Sequence, residues 1–160
     1  MKPATLVALL IPALSIAEPA AARAPPSCNA SSTADIERQF AKFNAAWSTK
    51  DPDKVTALFT HDAVLLATVS NLPRTDPDGV RDYFVTFLKQ SPSARIDTST
   101  IKLDCNTASR VGTWTVTLKD NSGASQDLKA RYSFVYRYDR GGWKIDHLHS
   151  SLMPEKPEAK

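Results

Sequence analysis

His147 and His149 stand two residues apart in a segment, Gly142 to Ser151, and continue the alternation begun by Trp143 and Ile145. In a strand, period two places both imidazoles on one face together with Trp143 and Ile145. With Trp143 packed inward, both histidines would look into the interior. Imidazole changes charge near neutrality, so the pair suits a polar floor for an acidic small molecule, or proton transfer. An equally open reading is one ligand histidine and one merely hydrogen-bonded in the core. A His-x-His pair can also begin a zinc or copper site, which needs a third ligand converging on the same point. Nothing in the spacing brings His61, the remaining histidine, to that point, so no metal is expected. Cys28 and Cys105 are the two cysteines. Their spacing matches no zinc site, and in an oxidising compartment they are expected to pair, with two free buried thiols as the alternative. No serine sits in a nucleophile elbow and no glycine-rich turn follows a strand, so no cofactor is expected either.

Three helices and five strands are expected to position these groups. Ser32 and Asp35 form a capping-box-like start, after which Ile36, Phe40, Phe43 and Trp47 recur at helical steps. Asp51-Pro52 opens a short second helix, with Val55, Leu58 and Phe59 as its buried side. Ala63 to Ser70 reads as a strand covered on both faces. Thr75-Asp76-Pro77 starts a third helix with a Val80, Phe84, Phe87, Leu88 stripe, ended by Ser91-Pro92. Period-two segments follow near 96–104, 110–119, 126–138 and 143–150. Asp120-Asn121-Ser122-Gly123 and Asp139-Arg140-Gly141-Gly142 separate them as hairpin turns. Helices first and strands later make an α+β domain, with N-terminal helices packed on a curved, mainly antiparallel sheet that encloses a pocket. The outer face of that sheet, with Thr113, Thr115 and Thr117, suits a dimer contact.

The N-terminus carries Lys2, an apolar run from Ala4 to Ala17 and then small residues, the order of a secretory signal too short to serve as a membrane span. Cleavage is expected after Ala24, with Ala22 and Ala17 as alternatives. The chain then divides into a signal peptide (1–24), a leader (25–31), one domain (32–155) and a tail (156–160), released to the periplasm or outside the cell. The formal charge of +3 is small and its basic residues are scattered. That argues against nucleic acid, and against a membrane once the signal is removed.

Gly142-Trp143-Lys144-Ile145-Asp146-His147-Leu148-His149-Ser150-Ser151 resembles the last strand of the association (hub) domain of calcium/calmodulin-dependent protein kinase II. The chain over about residues 32–155 is similar to the bacterial stand-alone relatives of that domain, within the nuclear transport factor 2-like (SnoaL-like) superfamily. Phe43-Asn44-Ala45-Ala46-Trp47, the Asp51-Pro52 step, Thr68-Val69-Ser70-Asn71, Arg81-Asp82-Tyr83-Phe84, Cys105-Asn106-Thr107-Ala108 and Ala130-Arg131-Tyr132-Ser133-Phe134 share in the resemblance. It implies a cone-shaped fold with a deep pocket, and a homo-oligomer. Kinase activity is not implied, because no glycine-rich loop or catalytic-loop signature is present.

The resemblance also suggests that arginines line the pocket, which draws attention to Arg74 and Arg131. A guanidinium grips both oxygens of a carboxylate. Strict alternation groups Tyr132, Phe134, Tyr136 and Tyr138 on one face of their strand. Arg131 therefore points outward if the aromatic face is the inner one, unless a bulge shifts the register. Tyr83 can line the wall with its hydroxyl toward a ligand, or be core with a wet tip. Superfamily enzymes set an acid or histidine base in such a pocket, but Asp146 alternates away from the histidines, and Asp62 and Asp76 suit turns and caps. Three readings result. The first is a binder of a small, anionic organic molecule through Arg74, Tyr83, Arg131, His147 and His149. The second is an enzyme with His147 or His149 as base and Tyr83 as donor. The third is an oligomerisation scaffold.

Overall fold

The computed structural model describes Cys28, residues 31–139 and residues 141–154. The segments expected to be signal peptide, most of the expected leader and the tail lie outside the described residues.

Local chemistry starts each helix. Ser32 caps α1 (Thr33–Ser48), its hydroxyl accepting from the Asp35 amide while the Asp35 carboxylate accepts from the Ser32 amide, so two otherwise orphaned N–H groups are satisfied. Asp51 caps α2 (Pro52–Thr56), with proline at its first position. Asp76 does the same for α3 (Pro77–Phe87), and a left-handed Ser91 closes the 3-10 turn that follows, Leu88–Gln90.

Five strands form one sheet: β1 (Phe59–Leu66), β2 (Ser93–Leu103), β3 (Thr107–Lys119), β4 (Ser125–Asp139) and β5 (Gly142–Leu152). The spatial order is β1-β5-β4-β3-β2, antiparallel except that β1 runs parallel to β5. The α+β architecture is therefore as expected, with both bounds of the first strand corrected. Phe59 and the residues after it belong to a strand, not to the second helix, because Phe59 pairs with Ile145 while the Leu58 carbonyl accepts from the Ile145 amide at 2.8 Å. The strand also ends earlier than expected, at Leu66. Ala67 to Ser70 leave the sheet and become the rim of a cavity.

The helices cover the concave face of the sheet, where Phe43 sits at the centre of an aromatic cluster. Its ring meets those of Trp47 at 4.8 Å, Phe134 at 5.5 Å, Phe59 at 6.1 Å and Phe84 at 6.2 Å. A disulfide joins Cys28, before α1, to Cys105 in the turn between β2 and β3, so the expected pairing is present.

Two bulges set the register of the antiparallel ladders. In β2 the ladder steps from Ile96↔Trp114 to Thr98↔Thr113, leaving Asp97 as the extra residue. In β5 it steps from Tyr136↔Ile145 to Val135↔His147, leaving Asp146 unpaired. Because side chains alternate, an extra residue exchanges the two faces beyond it. Ile145 is buried before the bulge, and Leu148 and Ser150 are buried after it. The outer face is also less open than expected. Thr115 is only 1% exposed, because the Asp97 carboxylate and the Lys129 ammonium close over its hydroxyl, each at 2.7 Å.

Candidate functional site

Between α1, α3 and the sheet lies a narrow cavity of about 20 Å³, room for one ordered water or one small ligand group. α1 supplies Phe43 and Trp47, α3 supplies Tyr83, Phe84 and Phe87, and the sheet supplies Leu65, Trp114, Val116, Leu128, Leu148 and Ser150. Ala67, Thr68 and Val69 form its edge. This lining is mostly apolar, and its largest surfaces are aromatic rings. Its polar atoms are few: the Trp114 indole N–H donates to the Ser150 hydroxyl at 3.1 Å, and the Thr68 hydroxyl donates to the same oxygen. The Trp47 Nε1–H is buried with no partner, a donor left for a ligand oxygen or a water.

Val69, Tyr83 and Phe87 also line a neighbouring pocket of about 230 Å³, a vestibule completed by Ser70, Arg74, Asp82, Thr86 and Gln90. The backbone of Arg74 is pinned to β1, its amide donating to the Leu65 carbonyl at 3.0 Å and its carbonyl accepting from the Leu65 amide at 2.8 Å. Its guanidinium donates to the Leu72 carbonyl at 3.1 Å, and among the described residues no carboxylate forms an ion pair with it. Tyr83 stacks on Phe87 with ring centroids 5.3 Å apart. Burial pushes its phenol above the usual range, against a smaller opposing pull from Arg74, so the hydroxyl keeps its proton and remains a donor.

The other sequence candidates lie elsewhere. The bulge at Asp146 puts His147 opposite Val135 and His149 opposite Ser133, on the outer face, while Leu148 and Ser150 turn to the cavity. The expectation that both histidines look inward is thus corrected, and the cause is one extra residue. His149 lines an external groove of about 350 Å³ with Leu66, Asn71, Leu72 and Ser151, and this groove shares Ala67, Thr68 and Ser150 with the cavity wall. Arg131 pairs with Thr113 and Ser151 on the outer face, and β4 has no bulge against β3 that would turn it inward. Arg74 and Tyr83 are therefore brought together, and Arg131, His147 and His149 form a second group. His61 is exposed on β1. Asp146 is held by the Arg137 guanidinium at 3.0 Å and the Thr60 hydroxyl at 3.2 Å. No group of three or more His, Cys, Asp or Glu side chains among the described residues is placed to hold a metal ion.

Sequence reasoning passed over Ser150, Thr68 and the indoles of Trp47 and Trp114, which supply the polar atoms of the cavity wall. It also passed over Arg110, an inward-facing cation that shares the parity of Trp114 on β3. That parity was the available signal.

Comparison with known proteins follows the same lines. The family model of the calcium/calmodulin dependent protein kinase II association domain matches residues 32–154. A solved structure named for that association domain, from Xanthomonas campestris, is 38% identical, with a TM-score of 0.77 over 82% of this chain and 97% of its own. A candidate dehydratase of the NTF2-like family from Streptomyces avermitilis shares the fold at 12% identity, TM-score 0.68, covering 77% of this chain and 97% of that one. A candidate aromatic ring hydroxylase from Novosphingobium aromaticivorans does so at 24% identity, TM-score 0.67, covering 76% and 89%. No curated protein matches the chain.

Proposed function

The chain belongs to the calcium/calmodulin dependent protein kinase II association domain family, and from that premise we propose that it is an exported, non-kinase protein that binds a small organic anion at the mouth of its aromatic cavity. One observation carries the reading: Arg74, with no carboxylate partner among the described residues, shares a vestibule with Tyr83 in front of an apolar cavity. A ligand with an apolar body and one carboxylate fits that polarity. The carboxylate would accept from Arg74, the Tyr83 hydroxyl would donate to it, and a terminal atom would reach toward Trp47.

The acid–base enzyme reading has less behind it. Among the described residues the cavity wall offers hydroxyls and indoles but neither imidazole nor carboxylate, and the carboxylate of the vestibule is Asp82. Export is supported by the leader pattern and by the disulfide. No described helix is long and apolar enough to cross a membrane.

A screen of small aromatic and aliphatic acids by thermal shift, followed by native mass spectrometry, tests the proposal. Arg74→Gln should weaken a hit roughly ten- to hundredfold, the range for losing hydrogen bonds to a charged group, while His147→Ala and His149→Ala leave it unchanged. A hit that ignores Arg74, or that the enzyme-like loss of substrate accompanies, sinks this reading.

A second reading, self-association, is favoured by the outer face. Val111 is 40% exposed there, paired with Ser133 and close to Arg131 and His149. Sedimentation of Val111→Glu should show a smaller particle than the unmodified chain if that face joins two copies. An unchanged mass places the contact elsewhere.

A further inference from the structure

Arg110 lies on the inner face of β3, two inward positions before Trp114 and so about 13 Å along the strand from the cavity just described. It is 7% exposed. Its Nε donates to the Ser99 hydroxyl at 2.9 Å, and its guanidinium carbon sits 5.5 Å from the centre of the Phe40 ring. Its Nη1 is buried without a partner, and among the described residues no carboxylate pairs with it. Beside it, Tyr136 is 0% exposed and its hydroxyl is also buried and unpartnered. The two side chains share one face of adjacent strands: Arg110 pairs with Phe134, and the Phe134 and Tyr136 rings stack at 5.6 Å.

A guanidinium does not shed its proton, and a buried cation without a counter-charge is costly. Phe40 returns part of that cost through its ring face, and Ser99 satisfies one donor. A water would satisfy the two free donors but leave the charge. We infer that Arg110 and Tyr136 form a second, interior site for a small monovalent anion of the size of chloride, formate or nitrate, held by Arg110 Nη1 and the Tyr136 hydroxyl. Burial drives the Tyr136 phenol above its usual range, with Arg110 pulling the other way, so the hydroxyl keeps the proton it donates. The site is separate from Arg74 and Tyr83 and does not rest on the ligand proposed for them.

Thermal denaturation of the disulfide-bonded chain in chloride, formate or nitrate, at an ionic strength held constant with bulky gluconate, tests the inference. A small ion should raise Tm saturably, on the order of 10 °C at a hundredfold excess over its Kd. Tyr136→Phe, which keeps the ring packing, should weaken the apparent affinity about tenfold. Arg110→Met should abolish the response. Should Arg110→Met not fold, the Tyr136→Phe titration decides alone. A response that never saturates, or that is the same in Tyr136→Phe, overturns the site; so does no response at all, the result expected of a bound water. Arg74→Gln should leave the small-ion response intact, so a failure here and a failure of the vestibule reading are distinguishable.

Discussion

Gly112 shows how tightly single residues are held on the inner face. A Cβ built there would lie 2.0 Å from the Thr98 carbonyl oxygen and 3.1 Å from the Tyr132 hydroxyl, and that same carbonyl accepts from Tyr132 at 3.0 Å. The obstacle is backbone beside the β2 bulge, which cannot swing aside as a flexible side chain would. Gly112→Ala is therefore expected to cost about 3 kcal/mol, read as a lower urea midpoint; an unchanged midpoint would mean that β2 shifts freely. Individual residues were unevenly legible in the sequence. Tyr83 was recognisable as a wall residue from its offset beside Phe84 on an amphipathic helix. Arg110 was not, because a lone arginine in an alternating strand reads as solvent-facing. Its ring partner, Phe40, comes from a helix distant in the chain.

Elements depend on both local and remote chemistry, and the two behave differently. The start of α1 is local: Ser32→Ala removes one side of the capping box and should lower stability by about 1 kcal/mol. The Asp35 carboxyl is held below its ordinary value, first by the hydrogen bond from the Ser32 amide and then by the Ser32 hydroxyl. Its contribution is present in full above the ordinary aspartate range and is lost as pH falls through the lowered value. Ser32→Ala should accordingly lose less stability in strong acid than at neutrality, which denaturation at the two pH values would show. The register of β5, by contrast, is remote, because Asp146 is held as a bulge by Thr60 and Arg137. Leu148→Ala should cost about 2–5 kcal/mol as a core truncation, and His147→Ala about 1 kcal/mol or less, in denaturant titrations. The reverse order would restore strict alternation and put the histidines inside. Helix starts were legible because cap and proline chemistry lies within four residues. The bulge was not, since the groups that stabilise it sit on β1 and β4.

At the scale of the molecule, the disulfide ties the chain ahead of α1 to the β2–β3 turn across a separation of 77 residues. α1 carries Phe43 and Trp47 into the cavity wall, so the bond fixes the element on which the candidate site leans. In the chain-entropy account a closed loop of this length stabilises the fold by roughly 4 kcal/mol, a large share of the roughly 5–15 kcal/mol typical of a domain. The inner face holds a continuous aromatic cluster that does not involve either cysteine. Reduction, or Cys28→Ser with Cys105→Ser, should therefore leave a folded protein with a lower urea midpoint, and should not unfold it outright. The secondary-structure signal should survive in buffer while the midpoint falls by the amount that 4 kcal/mol and the measured slope require. Unfolding on reduction would mean that the aromatic core alone cannot hold α1 on the sheet. In that case an oxidising compartment would be a condition of folding, and the vestibule at Arg74 would exist only in the oxidised protein.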